Sequence, residues 1–120
     1  MNRWALLKHE RIHNKIIDVH YDFLLENGQD CKTWKLTNFP ELDGVSVDIF
    51  EHSNHRLIYL SIESKLLTNN RGYVQRVDNG IFKPFGLDED SNNFSIILKG
   101  NYIRGLFKKD KNLCQLISLN

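Results

Sequence analysis

The chain has 120 residues, a formal net charge of +1, and 41% hydrophobic against 26% charged residues. That balance excludes a disordered chain and a net basic field, and the short apolar runs exclude a bilayer-spanning helix. The length predicts a single domain over 1–120 with one real core. Two cysteines, Cys31 and Cys114, are too few for a disulfide framework, and the N-terminus lacks a continuous apolar signal run. A cytoplasmic protein with two free thiols is the expectation, one Cys31–Cys114 bridge being the alternative.

Most apolar residues alternate or sit in short β-branched and aromatic runs, which predicts strands. Trp4–His9 reads as the first strand, 11–19 as a polar loop, and Tyr21–Glu26 as the second strand. Asn27-Gly28 signals a hairpin turn into a third strand over Lys32–Leu36. Val45–Phe50 follows, then a polar break over 51–54, then an alternating strand over Arg56–Glu63. A turn at 68–72 leads to Gly72–Val77, and Asp78-Asn79-Gly80 predicts a hairpin turn into Ile81–Phe85. After an acidic loop, Phe94–Leu98 and Tyr102–Lys108 form a hairpin, and Leu113–Leu119 closes the chain. The fold class expected is mainly β, a single antiparallel β-barrel of about eight strands with little helix.

Alternate side chains of a strand share a face, so His20 and Asp22 point one way while Tyr21, Phe23 and Leu25 point the other. An imidazole and a carboxylate aimed together from a strand are half of a divalent-metal site. His55 and Tyr59 are four residues apart. In an extended strand they would share a face, where they can donate to a phosphate oxygen or protonate a leaving alkoxide.

An ordered series of short stretches adds to this. It runs through Leu6-Leu7-Lys8-His9, His20-Tyr21-Asp22-Phe23-Leu24-Leu25-Glu26 and Lys32-Thr33-Trp34-Lys35-Leu36. It continues through His55-Arg56-Leu57-Ile58-Tyr59, Glu63, Arg71-Gly72-Tyr73-Val74, Asp78-Asn79-Gly80, Leu98-Lys99-Gly100 and Ile103-Arg104-Gly105. With this series the chain resembles the 3′-phosphoesterase domain of bacterial DNA ligase D, and more closely its short stand-alone relatives. The resemblance implies a β-barrel that removes 3′-terminal phosphates and ribonucleotides from DNA ends with a divalent ion, typically manganese. It makes His20 and Asp22 metal ligands, with His9 as the third in preference to His13. It gives His55 and Tyr59 the handling of the scissile phosphate. Nitrogen and oxygen ligands of this kind suit Mn²⁺ or Zn²⁺ better than Ca²⁺.

The sequence departs from the family at three places. Leu24 stands where the family has an arginine, so a phosphate contact would have to come from Arg56, Arg71, Arg76 or Arg104. His9 is further from His20 than the family's paired histidines are. Asn38 and Ser53 replace a lysine and an acidic residue. His13 and His52 read as surface or structural histidines, Trp4 and Trp34 as core, and Arg104, Lys108, Lys109 and Lys111 as a solvated basic face.

The function expected is a metal-dependent 3′-phosphoesterase of nucleic-acid repair, with nucleic-acid 3′ ends as partner and a ligase or polymerase chain as a companion. The alternative is a weakened relic that binds nucleic-acid ends or a repair partner without turnover. No membrane role is expected.

Overall fold

A computed structural model describes residues 2–86, 90 and 92–119. Its strands are β1 (Arg3–His13), β2 (Ile16–Asn27), β3 (Asp30–Leu36), β4 (Val47–Arg56), β5 (Ser64–Leu66), β6 (Tyr73–Pro84), β7 (Asn93–Gly100), β8 (Arg104–Asp110) and β9 (Leu113–Ile117). One 3₁₀ turn, Leu57–Leu60, interrupts them. They form one antiparallel sheet in the order β1-β2-β3-β4-β9-β8-β7-β6-β5. A further β1–β6 pairing closes eight of them roughly into a ring, with β5 attached outside it. The mainly β, antiparallel class expected from the sequence is what the chain adopts. None of the described helices is long and apolar enough to cross a membrane.

The ring is filled from alternate positions. Trp4 and Leu6 of β1, Phe23 and Leu25 of β2, and Trp34 and Leu36 of β3 meet Phe94, Ile96, Leu98 and Phe107 from the opposite wall. Phe23 stacks on Phe107 at 4.4 Å between ring centroids, and Trp34 tilts against Phe94 at 5.2 Å. Each such side chain contributes about 1.5–3 kcal/mol by leaving water, before the entropy of ordering is counted. Cys114 lies in this core and Cys31 in a second one, both as free thiols. Burial pushes them up to about 12 and about 11 respectively.

Four local expectations are overturned. First, 11–19 is no loop. β1 and β2 run on to His13 and from Ile16, joined by Asn14-Lys15 with φ of 50° and 65°. Two consecutive positive φ values make the two-residue turn whose twist matches a hairpin, and asparagine tolerates that region. Second, 51–54 does not break β4 but carries a bulge. Third, Arg56–Glu63 is not a strand. β4 ends at Arg56 and the chain tightens into the 3₁₀ turn so that Leu60 can cover Leu7 and Leu24.

Fourth, Asp78-Asn79-Gly80 is not a turn, because β6 passes straight through it. The Asp78 carboxylate instead accepts backbone N–H bonds from Asn101, Tyr102 and Ile103, tying down the β7–β8 turn. Gly80 pairs with Gly100, and a side chain at Gly100 would strike both the Trp4 ring and that carboxylate. The basic C-terminal group is also not wholly solvated. Lys109 is buried and its Nζ donates to the carbonyls of Asn92 and Lys111.

Candidate metal centre

The outer face of β1, β2 and β3 carries the residues of interest. On β1 the outward positions are Ala5, Leu7 and His9; on β2 they are His20, Asp22 and Leu24. Direct cross-strand pairing sets His9 opposite His20 and Leu7 opposite Asp22. The lower part of this face is a second apolar cluster of Ala5, Leu7, Leu24, Cys31 and Leu60. Tyr59 packs against it from the 3₁₀ turn. Leu24 is fully buried there, so it closes the floor beneath Asp22.

Above that floor His9, His20 and Asp22 converge, with one ligand atom of each within 4.8 Å of the others. His20 Nε2 lies 3.1 Å from Asp22 Oδ1, and His9 Nδ1 lies 3.6 Å from Oδ2. Two atoms each about 2.1 Å from one ion stand about 3.0–3.5 Å apart, so His20 and Asp22 are at the spacing of two ligands of one ion, with His9 slightly wider and on the other carboxylate oxygen. The 3.1 Å approach is off the line a hydrogen bond needs. Asp22 Oδ1 is therefore buried without a hydrogen-bond partner, and the other ring nitrogen of His20, Nδ1, is buried without one as well. A buried carboxylate oxygen left so is costly unless a cation meets it.

The tautomer of His9 points the same way. Its Nε2 donates to the Arg71 carbonyl, which can only accept. Nδ1 then presents a lone pair to a carboxylate, and two electron-rich atoms face one another unless a proton or a metal lies between them. An outer carbonyl fixing a ring in this way is the usual support of a metal-ligating histidine. With a proton in that place, the Asp22 contact raises the His9 pKa above its ordinary value, against the opposing effect of burial. Burial alone would raise the Asp22 carboxyl, but the close approach of His20 and His9 holds it well below the usual carboxylate range. The three residues can hold a metal ion.

His55 and Tyr59 stand beside this group. His55 Nε2 is 4.0 Å from Asp22 Oδ2, and its ring meets Tyr59 edge-on at 5.2 Å. The bulge explains how β4 delivers two histidines. Pairing slips from Cys31–His55 to Thr33–His52, one extra residue on β4. Residues three apart, which would normally face opposite ways, are thereby turned to one side. His55 Nδ1 donates to the Ser53 carbonyl, leaving Nε2 as the atom that gains and loses the proton. Burial lowers the His55 pKa, so it is neutral at neutral pH. Tyr59 reaches the site from the 3₁₀ turn rather than by strand alternation.

These side chains line a hollow of about 500 Å³ together with Arg11, Asp18, Lys35, His52, Arg56 and Arg71. Arg11, Lys35, Arg56 and Arg71 supply four fixed cations against two carboxylates, so an anion is favoured. Of the arginines named from the sequence, Arg56 and Arg71 reach the hollow. Arg56 sits over the Tyr59 ring at 5.9 Å, while Arg71 donates to the carbonyl and hydroxyl of Thr68.

Arg76 and Arg104 do not reach it. Arg76 lies 3.8 Å from Glu63 in a separate depression, and Arg104 donates to the Gly100 carbonyl at the β7–β8 turn. His13 stays on the exposed end of β1 and outside the metal group. Arg11, Asp18, Lys35 and His52 were missed. Arg11 and Asp18 are a direct cross-strand pair, hidden by reading 11–19 as a loop. The signal was Asn14, a turn former between two alternating runs. Lys35 pairs with Asp22 across β2 and β3, which strand parity could have given. No protein-family model and no curated protein matches the chain.

Proposed function

We propose that the chain is a divalent-metal-dependent phosphoesterase acting at nucleic-acid 3′ ends. The observation that carries this reading is one hollow in which a His9–His20–Asp22 group adjoins His55, Tyr59 and four cationic side chains. The ordered resemblance to the ligase D 3′-phosphoesterase domain supports the choice of substrate. A bound ion, Mn²⁺ by preference with Zn²⁺ as the other candidate, would act as a Lewis acid on the phosphoryl group and acidify water. His9, His20 and Asp22 would hold it.

The rest falls to this chain's own groups. Arg56 takes the place of the missing family arginine and clamps the phosphate beside Tyr59, whose phenol orients a non-bridging oxygen. Nε2 of His55, left without a proton because Nδ1 donates to the Ser53 carbonyl, takes one from the attacking water and passes it to the leaving oxygen. Leu24 cannot assist, being sealed under the 3₁₀ turn. That loss favours a second reading, binding of the end without turnover, since one phosphate donor is worth about 10²–10³ in rate.

The test is phosphate release from a 3′-phosphate primer-template with Mn²⁺. The expected result is turnover that His20→Ala abolishes. Release no greater than that of the variant overturns the enzymatic reading, and a salt-sensitive gel shift without release establishes the second.

A further inference from the structure

Pairing across the outer face runs Leu7, Asp22, Lys35, Phe50 in one row from β1 to β4. Residues directly opposite in an antiparallel pair point to the same side, so Phe50 shares the face of Asp22. Along β4 the next residue on that side is His52, and both His52 and Lys35 line the metal hollow. The Phe50 ring therefore stands on the rim of that hollow. It is 46% exposed and belongs to neither apolar cluster. Its same-face neighbours along the strand, Asp48 and His52, are polar and exposed. A lone exposed phenylalanine is ordinary on a protein surface, but this one ends a row that contains Asp22.

We propose that Phe50 is the stacking platform for the base of the 3′-terminal nucleotide whose phosphate enters the metal hollow. The inference rests on the nucleic-acid-end reading and adds what holds the nucleotide next to the phosphate. Neighbouring strands are about 4.8 Å apart, so two spacings set Phe50 about 10 Å from Asp22, the reach of a nucleoside from its phosphate. Lys35 lies midway between them. Among the described residues it has no ion pair, which leaves its ammonium to the sugar-phosphate that must cross it. Every base has a π face, and a phenyl ring has no hydrogen-bonding group with which to choose among them. The site would therefore take unpaired or frayed ends without reading sequence. A second copy of this chain fits less well. One ring set among Lys35, Asp48 and His52 offers far less apolar surface than the roughly 800 Å² per partner of a stable interface.

The experiment measures binding of two single strands, each labelled with fluorescein at its 5′ end and ending in a 3′-phosphate, one with a terminal base and one abasic. The protein carries His55→Ala to suppress turnover and is loaded with Mn²⁺. The expected result is binding of the base-bearing end tighter by on the order of tenfold. Phe50→Ala and Phe50→Leu should erase the preference, Phe50→Trp should keep it, and Tyr102→Ala at a distant exposed site should leave it intact. Lys35→Gln should weaken both strands alike and lower the slope of log affinity against log salt by about 0.7. Equal binding of both strands overturns this inference alone, and so does a preference that survives Phe50→Ala. A preference kept by Phe50→Leu makes the contact merely apolar and overturns the stacking, and an unchanged salt slope in Lys35→Gln overturns the path across β3. Binding of neither strand overturns the nucleic-acid reading and this inference with it. A concentration-dependent dimer dissolved by Phe50→Ser gives the ring to a second copy and overturns the proposal.

Discussion

β1, β2 and β3 each present two faces, and the two are built on opposite terms. Inside the ring, Phe23, Trp34 and Phe107 fit one another with little exposed surface. Outside, two residues along the same strands, His20 and Asp22 keep buried polar atoms without partners. The inner face leaves two neutral indole N–H groups, those of Trp4 and Trp34, without a partner. The outer face leaves a carboxylate oxygen and an imidazole nitrogen, and a partnerless buried carboxylate is tolerated where a cation meets it. The apolar floor of Leu7, Leu24 and Leu60 seals the underside of the outer group.

The sharpest way to separate the faces is to cut each in turn. Phe107→Ala should cost about 3–5 kcal/mol of stability, read from the denaturant midpoint, because the stacked Phe23 and Phe94 cannot close the void. The folded fraction should still bind Mn²⁺ with unchanged affinity. His20→Ala should do the reverse. Metal affinity, measured by calorimetry, should fall by more than the 10–100-fold typical of losing an outer supporting partner, with little change in the unfolding midpoint. A midpoint loss in His20→Ala as large as that in Phe107→Ala would mean the outer group is structural.

Much of the inner face was legible from sequence. Period-two alternation placed Phe23 and Leu25 inward, and the tryptophans marked the core. His20 and Asp22 were legible for the same reason, being neighbours in one strand. What alternation cannot report is a change of register or of element. The β4 bulge turned His52 towards the hollow, and the 3₁₀ turn carried Tyr59 there by a route no strand pattern encodes. Both arise from long-range packing, the bulge against β3 and the turn against Leu7 and Leu24. Asp78-Asn79-Gly80 misled in the opposite sense, since its turn chemistry serves the backbone of 101–103.

Protons sharpen the contrast further. A metal at His9 must displace the proton that Asp22 holds there, so metal affinity should fall as pH drops through the raised His9 pKa. The decline should approach tenfold per pH unit for one proton released. In the metal-free protein the sign for stability is opposite. The His9 proton contributes stability below its ordinary pKa of 6.5, and the contribution disappears as pH rises through the raised folded value. Calorimetric titrations and unfolding midpoints across that window should therefore move in opposite directions. Parallel movement would dissociate His9 from the ion.

The smallest expected effect lies at the other end of the same strands, where the pair is satisfied. Arg3 Nε and Nη2 donate to the two Glu26 carboxylate oxygens at 3.0 Å each, and the Arg3 backbone N–H adds a third bond. Those bonds hold Glu26 at about 2, down from an ordinary 4.5. A depressed carboxyl contributes stability above its unfolded pKa and loses it as pH falls towards the folded value. The Arg3 side chain is open to water, so the contribution is screened and should stay near or below ~1 kcal/mol. Arg3→Ala should flatten the acid limb of the stability curve between pH 4.5 and 2 without touching metal affinity. If it weakened Mn²⁺ binding, the two ends of β1 and β2 would be coupled through Leu7 and Leu24, and the separation between a structural and a ligand-seeking end would fail.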